Sequence, residues 1–102
     1  MNDLPIRQDI QFVIGDDFSM PMSLYTPTSG YLFESYFTTP SGVVPFDVMN
    51  GDPINGVVSL FLGHDITDTV PAGVYAWQFS FSDLNGLRTT WAQGLCTVLA
   101  DA

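Results

Sequence analysis

The residues of this chain that could do chemistry are few and scattered. One histidine, His64, stands beside Asp65 and four residues before Asp68. One cysteine, Cys96, sits in the apolar run "LCTVLA". Carboxylates also occur as the pair Asp16-Asp17 and as Asp83 near Asn85. A nucleophile–His–carboxylate relay would have to use His64. An adjacent Asp65 cannot reach the ring nitrogen as a triad carboxylate does, so a distant Asp would be needed. No Gly-x-Ser-x-Gly elbow is present. Calcium takes six or more oxygens, usually from one loop, and none of these acidic runs has the twelve-residue pattern. One Cys and one His cannot close a zinc site. Asp and Asn beside Gly more commonly make turns that hold their own backbone. The reading is therefore non-catalytic, with no cofactor and no metal. His64 is expected on a polar turn, and Cys96 as a small buried hydrophobe.

The totals narrow the partners. The chain has 102 residues, 46% of them hydrophobic, and a net charge of −9. That is enough for one domain, 1–102, with its own core. Its only cations are Arg7 and Arg88. Nucleic acid requires several Lys or Arg contacts to phosphate, and an anionic membrane surface would repel this chain. No nucleic-acid or membrane role is expected. The opening "MNDLPIRQDIQ" lacks the features of a signal peptide, and no apolar run is long enough to span a bilayer. Synthesis in a cytosol is the expectation.

Turn signals recur between short β-rich runs: "GDD", "TPTSG", "TPSG", "NGDPING", "PAG" and "DLNG". Such punctuation predicts an all-β sandwich of about seven strands in two antiparallel sheets. Residues 1–9 are expected to form an extended N-terminal arm. "FSMPMSLY" sets Phe18, Met20, Met22 and Leu24 on one face. Pro21 places that strand at an edge or bulge, because proline cannot donate to a ladder. In "YLFESYF", Glu34 marks its own side as the wetter one. "GHDITDTV" is expected to cross between sheets, with room for a single helical turn. "VYAWQFSF" and "LRTTWAQG" flank Asn85-Gly86 and should pair as a hairpin. Gly94 suggests an interruption of the last strand.

Tyr75, Trp77, Phe79 and Phe81 form an aromatic stripe at every second position. Four such side chains bury roughly 150–250 Å² each. At about 25 cal/mol per Å² that is on the order of 15–25 kcal/mol of gross burial. The opposite face, Val74, Ala76, Gln78 and Ser80, is too small and polar to fill a core. The stripe is therefore read as the inner wall of the sandwich. Tyr36, Phe61 and Trp91 fall on or near faces with polar neighbours, where they could be interface anchors or edge packing. With Arg7 and Arg88 they make the candidate interface.

Four segments together resemble a small β-domain of tailed-phage particles. They are "IRQDIQFVIGDDFSMPMSLY", "SGYLFESYFTTPSG", "DITDTVPAGVYAWQFSF" and "SDLNGLRTTWAQGLCTVLA". The chain is similar to the N-terminal domain of phage upper-baseplate proteins and to small stand-alone decoration and accessory proteins. The resemblance covers nearly the whole chain and rests mostly on turn and core residues. It implies an immunoglobulin-like sandwich in a non-catalytic virion protein. The expected role is binding in many copies to a repeating surface, as capsid decoration or cement or as a tail or baseplate component. Its partners would be other phage structural proteins, with homo-oligomers such as a trimer compatible with that setting. Many baseplate versions continue into a receptor-binding or coiled-coil region, and no such extension follows here, which keeps the decorating role open. The alternative expectation is a carbohydrate-binding module for host attachment, with Trp91 and Tyr36 exposed on one face.

Overall fold

A computed structural model describes residues 5–24 and 26–100. Nine strands and one helical turn follow in chain order. They are β1 (Ile6–Arg7), β2 (Ile10–Val13), β3 (Phe18–Ser23), β4 (Leu32–Thr39) and β5 (Gly42–Pro45). Then come β6 (Asp47–Asp52), β7 (Val57–Leu62), α1 (His64–Thr67), β8 (Gly73–Ser82) and β9 (Arg88–Leu99). A six-stranded sheet has the order β1-β9-β8-β4-β5, with β2 also on β9, and a three-stranded sheet has the order β3-β7-β6. The protein is an all-β sandwich, with nine strands among the described residues where about seven were expected.

Alternation builds both inner walls. Val58, Leu60 and Leu62 of β7 are buried, as are Trp77 and Phe79 of β8 and Ala92, Cys96 and Val98 of β9. The aromatic stripe thus faces the core at its centre. Its two ends, Tyr75 and Phe81, are half-buried. Tyr75 stacks on Phe37 with centroids 5.9 Å apart, and Phe81 stacks on Tyr31 at 5.5 Å. The Tyr75 hydroxyl donates to the carbonyl of Pro71 at 2.6 Å. The bond ties the start of a core strand to the loop before it, in the manner of a tyrosine corner. Pro21 lies on β3, an edge of the smaller sheet. Wanting no ladder donor, an edge is where proline fits.

The chain changes sheets at Phe46, which is buried between β5 and β6 and whose N–H donates to Ser35 O at 2.9 Å. It changes back through α1, the single helical turn between β7 and β8. Thr67, buried in α1, donates to Asp16 O at 2.8 Å and accepts from Gly15 N–H at 3.2 Å. One threonine thereby fixes the β2–β3 loop against α1.

Two features differ from expectation. The sheets are not purely antiparallel: β1 and β2 both pair in parallel with β9. The described part of the expected N-terminal arm is also part of the sheet, since Ile6 pairs with Ala92 and Arg7 with Gln93. Residues 1–4 lie outside the described residues. Nor does Gly94 interrupt the last strand, which runs unbroken through it. A Cβ on Gly94 would come within 2.3 Å of Gln8 O. Glycine is there because the chain passing from β1 to β2 presses on the strand. The irregularity lies earlier. Phe79 pairs with Ala92 and Ser80 with Thr90, leaving Trp91 as the extra residue of a bulge.

Candidate functional site

The six-stranded sheet carries two surface features on the side away from the core. The first is a row running straight across it. Register pairs Pro45 with Tyr36, Tyr36 with Gln78, Gln78 with Gln93, and Gln93 with Arg7. These residues alternate with the buried Phe37 and Trp77, so they stand on the outer face. The next row is lower, because Ala76 pairs there with Thr38 and Leu95. The step leaves a groove of about 390 Å³ lined by Arg7, Tyr36, Thr38, Ala76, Gln78, Gln93 and Leu95, among others. Arg7 is paired with Asp9 at 3.0 Å. Asp9 also accepts the Leu95 N–H at 3.0 Å. Those two hydrogen bonds, the backbone one first, hold its carboxyl below the usual range.

The second feature is an apolar tip at one end of the sheet. Leu84 and Leu87, in the β8–β9 loop, are 74% and 65% exposed, and Leu32 at the start of β4 is 73% exposed. The loop is rigidly built. Asp83 Oδ1 accepts from Asn85 N–H at 2.9 Å and from Leu87 N–H at 3.0 Å. Gly86 N–H donates to Asp83 O at 3.0 Å, and Gly86 has a φ of 81°. Asn85-Gly86 does mark the turn, and the Asp83 carboxylate organises it. A Cβ on Gly30 would meet Leu84 Cδ2 at 2.7 Å, so Leu84 lies over the neighbouring β3–β4 loop. Leu84 and Leu87 are therefore held out on an ordered turn.

Arg88 stands at the foot of this tip, paired with Ser82 in register. Its guanidinium donates to Glu34 at 2.9 Å and to the buried Ser80 hydroxyl at 3.2 Å. Ser80, expected on the polar face, is thereby covered by an arginine rather than by water.

The five candidate interface residues do not converge. Arg7 and Tyr36 share the groove. Arg88 lies nearer the tip. Phe61, 36% exposed, is on the outer face of the other sheet, with Ser19 and Asp47 in register on either side. Trp91 packs on the core instead of standing on a polar face. Its ring meets Phe79 edge-on at 6.2 Å, and it borders a cleft with Ile6, Met20, Pro21 and Met22. The bulge at Trp91 breaks the alternation that would have placed it outward. Trp91 and Tyr36 therefore do not form the single exposed face expected of a carbohydrate-binding module. Reasoning from sequence missed Gln78, Gln93 and the three leucines. Alternation alone placed Gln78 outward, but only the cross-strand register shows its alignment with Tyr36.

His64 finds its distant carboxylate in Asp17. The ring Nδ1 lies 2.9 Å from Asp17 Oδ1, which also accepts the His64 backbone N–H at 2.7 Å. The hydrogen bond and charge of Asp17 raise the imidazole pKa, and the same contact lowers that of Asp17. Both side chains are largely exposed. Cys96 is buried, and desolvation pushes its thiol up to about 12. Among the described residues, no group of three or more His, Cys, Asp or Glu is arranged to hold a metal.

Comparison with known proteins adds little. No family model matches the chain, and no curated protein matches it. Among solved structures, an internalin-like protein of Listeria monocytogenes aligns with a TM-score of 0.49 and 14% identity. The alignment covers 94% of this chain and 28% of that one. A likeness at this level carries no functional argument.

Proposed function

We propose that the protein is a structural and interaction component of a tailed-phage virion. It docks in many copies on a repeating surface, as capsid decoration or as a tail or baseplate component. The observation that supports docking is the apolar tip. Two leucines, Leu84 and Leu87, each at least 65% exposed, are carried on a loop fixed by Asp83, with Leu84 braced on Gly30, and the exposed Leu32 stands at the start of β4. A preorganised apolar projection costs little entropy to bury and serves binding, not bond-making. The acidic body, with both arginines engaged in ion pairs, suits a neighbour whose docking face is basic. The phage setting rests on the four segments that resemble virion domains.

The reading is tested on purified particles of the phage that encodes the chain. Mass spectrometry should find many copies per particle, and imaging would separate shell from tail. A Leu84→Asp/Leu87→Asp variant should fold normally yet fail to join the particles. Absence of the natural protein from the particles would sink the proposal.

A further inference from the structure

The groove across the six-stranded sheet has a composition unlike that of the apolar tip. Its polar side chains are the Gln78 and Gln93 amides, the Tyr36 phenol and the Thr38 hydroxyl, each able both to donate and to accept, with the donor-only Arg7 guanidinium at one end. Among the described residues, neither the Gln78 nor the Gln93 amide, nor the Tyr36 hydroxyl, bonds to another protein group. They are aligned by register, and Ala76 beside them keeps the floor low. Ligand sites commonly combine such a concave surface with a few convergent polar groups, and about 390 Å³ falls within their usual range of roughly 300–1,000 Å³.

We propose that this groove binds a neutral oligosaccharide. One sugar ring lies with its C–H face against Tyr36, over Ala76, and its hydroxyls bond to the Gln78 and Gln93 amides. Hydroxyls are both donors and acceptors, as these amides are, so either orientation of each pair is satisfied. A peptide fits less well. The groove lies mainly over the faces of β4, β8 and β9, interior strands whose backbone groups are already spent on the ladders, so a peptide lying in it could not extend the sheet as an added strand does. An acidic glycan fits less well too. Arg7 is compensated by Asp9, and the chain carries a net charge of −9. The site lies apart from the apolar tip and does not depend on the virion reading.

The test is an amide-resolved NMR titration with cellohexaose, maltohexaose and chitohexaose, preceded by an array of bacterial polysaccharides. Saturable shifts should appear for at least one saccharide and be confined to Tyr36, residues 76–78 and residues 93–95. Gln78→Ala and Gln93→Ala should each weaken binding by roughly fivefold or more, the effect of losing a hydrogen bond. Met49→Ser, on the opposite sheet, should leave it unchanged. Thermal melts check that each variant is folded. No saccharide moving these resonances at millimolar concentration overturns the proposal. So does binding that survives the double glutamine variant. A protein partner found in the groove, with every saccharide silent, overturns it equally.

Discussion

The indole Nε1–H of Trp77 donates to the backbone carbonyl oxygen of Gln8 at 2.7 Å. This bond joins the centre of a core strand to the short link between β1 and β2. The same carbonyl oxygen also crowds Gly94, the cross-strand partner of Trp77. Trp77, Gln8 and Gly94 thus form one contact that holds the N-terminal segment on the sheet.

Trp77→Ala should cost roughly 3–5 kcal/mol, because the ring is buried and leaves a large cavity. Trp77→Phe retains most of the apolar area but leaves Gln8 O without its donor, and should cost about 1 kcal/mol more than the volume change alone. Urea unfolding of the two variants reads both values. A loss below about 1 kcal/mol for the alanine variant would contradict the burial of the ring.

Gly94→Ala should destabilise by roughly 1–3 kcal/mol, since the new methyl group meets backbone atoms that cannot swing aside. Gly51→Ala is the control, for its Cβ would meet nothing within 4 Å. A Gly94 variant as stable as the Gly51 variant would show that the N-terminal link does not press on β9 in solution.

The His64–Asp17 contact predicts a pH dependence with a definite sign. The histidine pKa is raised by folding, so its contribution is complete below about pH 6.5 and is lost as pH rises through the higher folded value. The aspartate pKa is lowered, so its contribution is present above about pH 3.9 and is lost as pH falls through the lower folded value. The contact is strongest where His64 is charged and Asp17 is ionised. Asp17→Asn should flatten the stability profile across the histidine's titration. NMR titration of the ring should show its pKa falling back toward the ordinary value in that variant.

Cys96 should not react with thiol reagents in the folded protein. Its thiol is buried and held protonated, and the thiolate is the reactive species. Labelling should appear only as denaturant crosses the unfolding transition. Rapid labelling without denaturant would show that the wall formed by β9 opens readily.

Much of the fold was legible because its signals are local. The β8–β9 hairpin is marked by Asp83 and Gly86, the aromatic stripe by its period, and the edge position of β3 by Pro21. The parallel pairing of β1 and β2 with β9 was not legible. Ile10 meets Cys96 across most of the chain, with no turn between them to betray the register. The bulge at Trp91 was hidden for a similar reason, since a strand's own alternation does not reveal an extra residue. The groove depended on register twice over. Tyr36 was found by type and position, but Gln78 and Gln93 became noticeable only once the sheet aligned them.

The parallel pairing also sets a timetable for synthesis. β1 and β2 emerge first from a ribosome, yet their partner β9 is the last strand to be made. β8 can pair with β4 beforehand, but its other edge waits on β9 as well. Until β9 arrives, β2 has no strand to pair with, and Phe12 has only its aromatic neighbours Phe18 and Phe37 to pack on. Completion of the larger sheet is therefore a late event that closes both ends of the domain together. Folding should be slower than the short hairpins alone would allow. A nascent chain halted within β9 should be more readily cleaved by protease, or captured by a chaperone, than one in which that strand is complete.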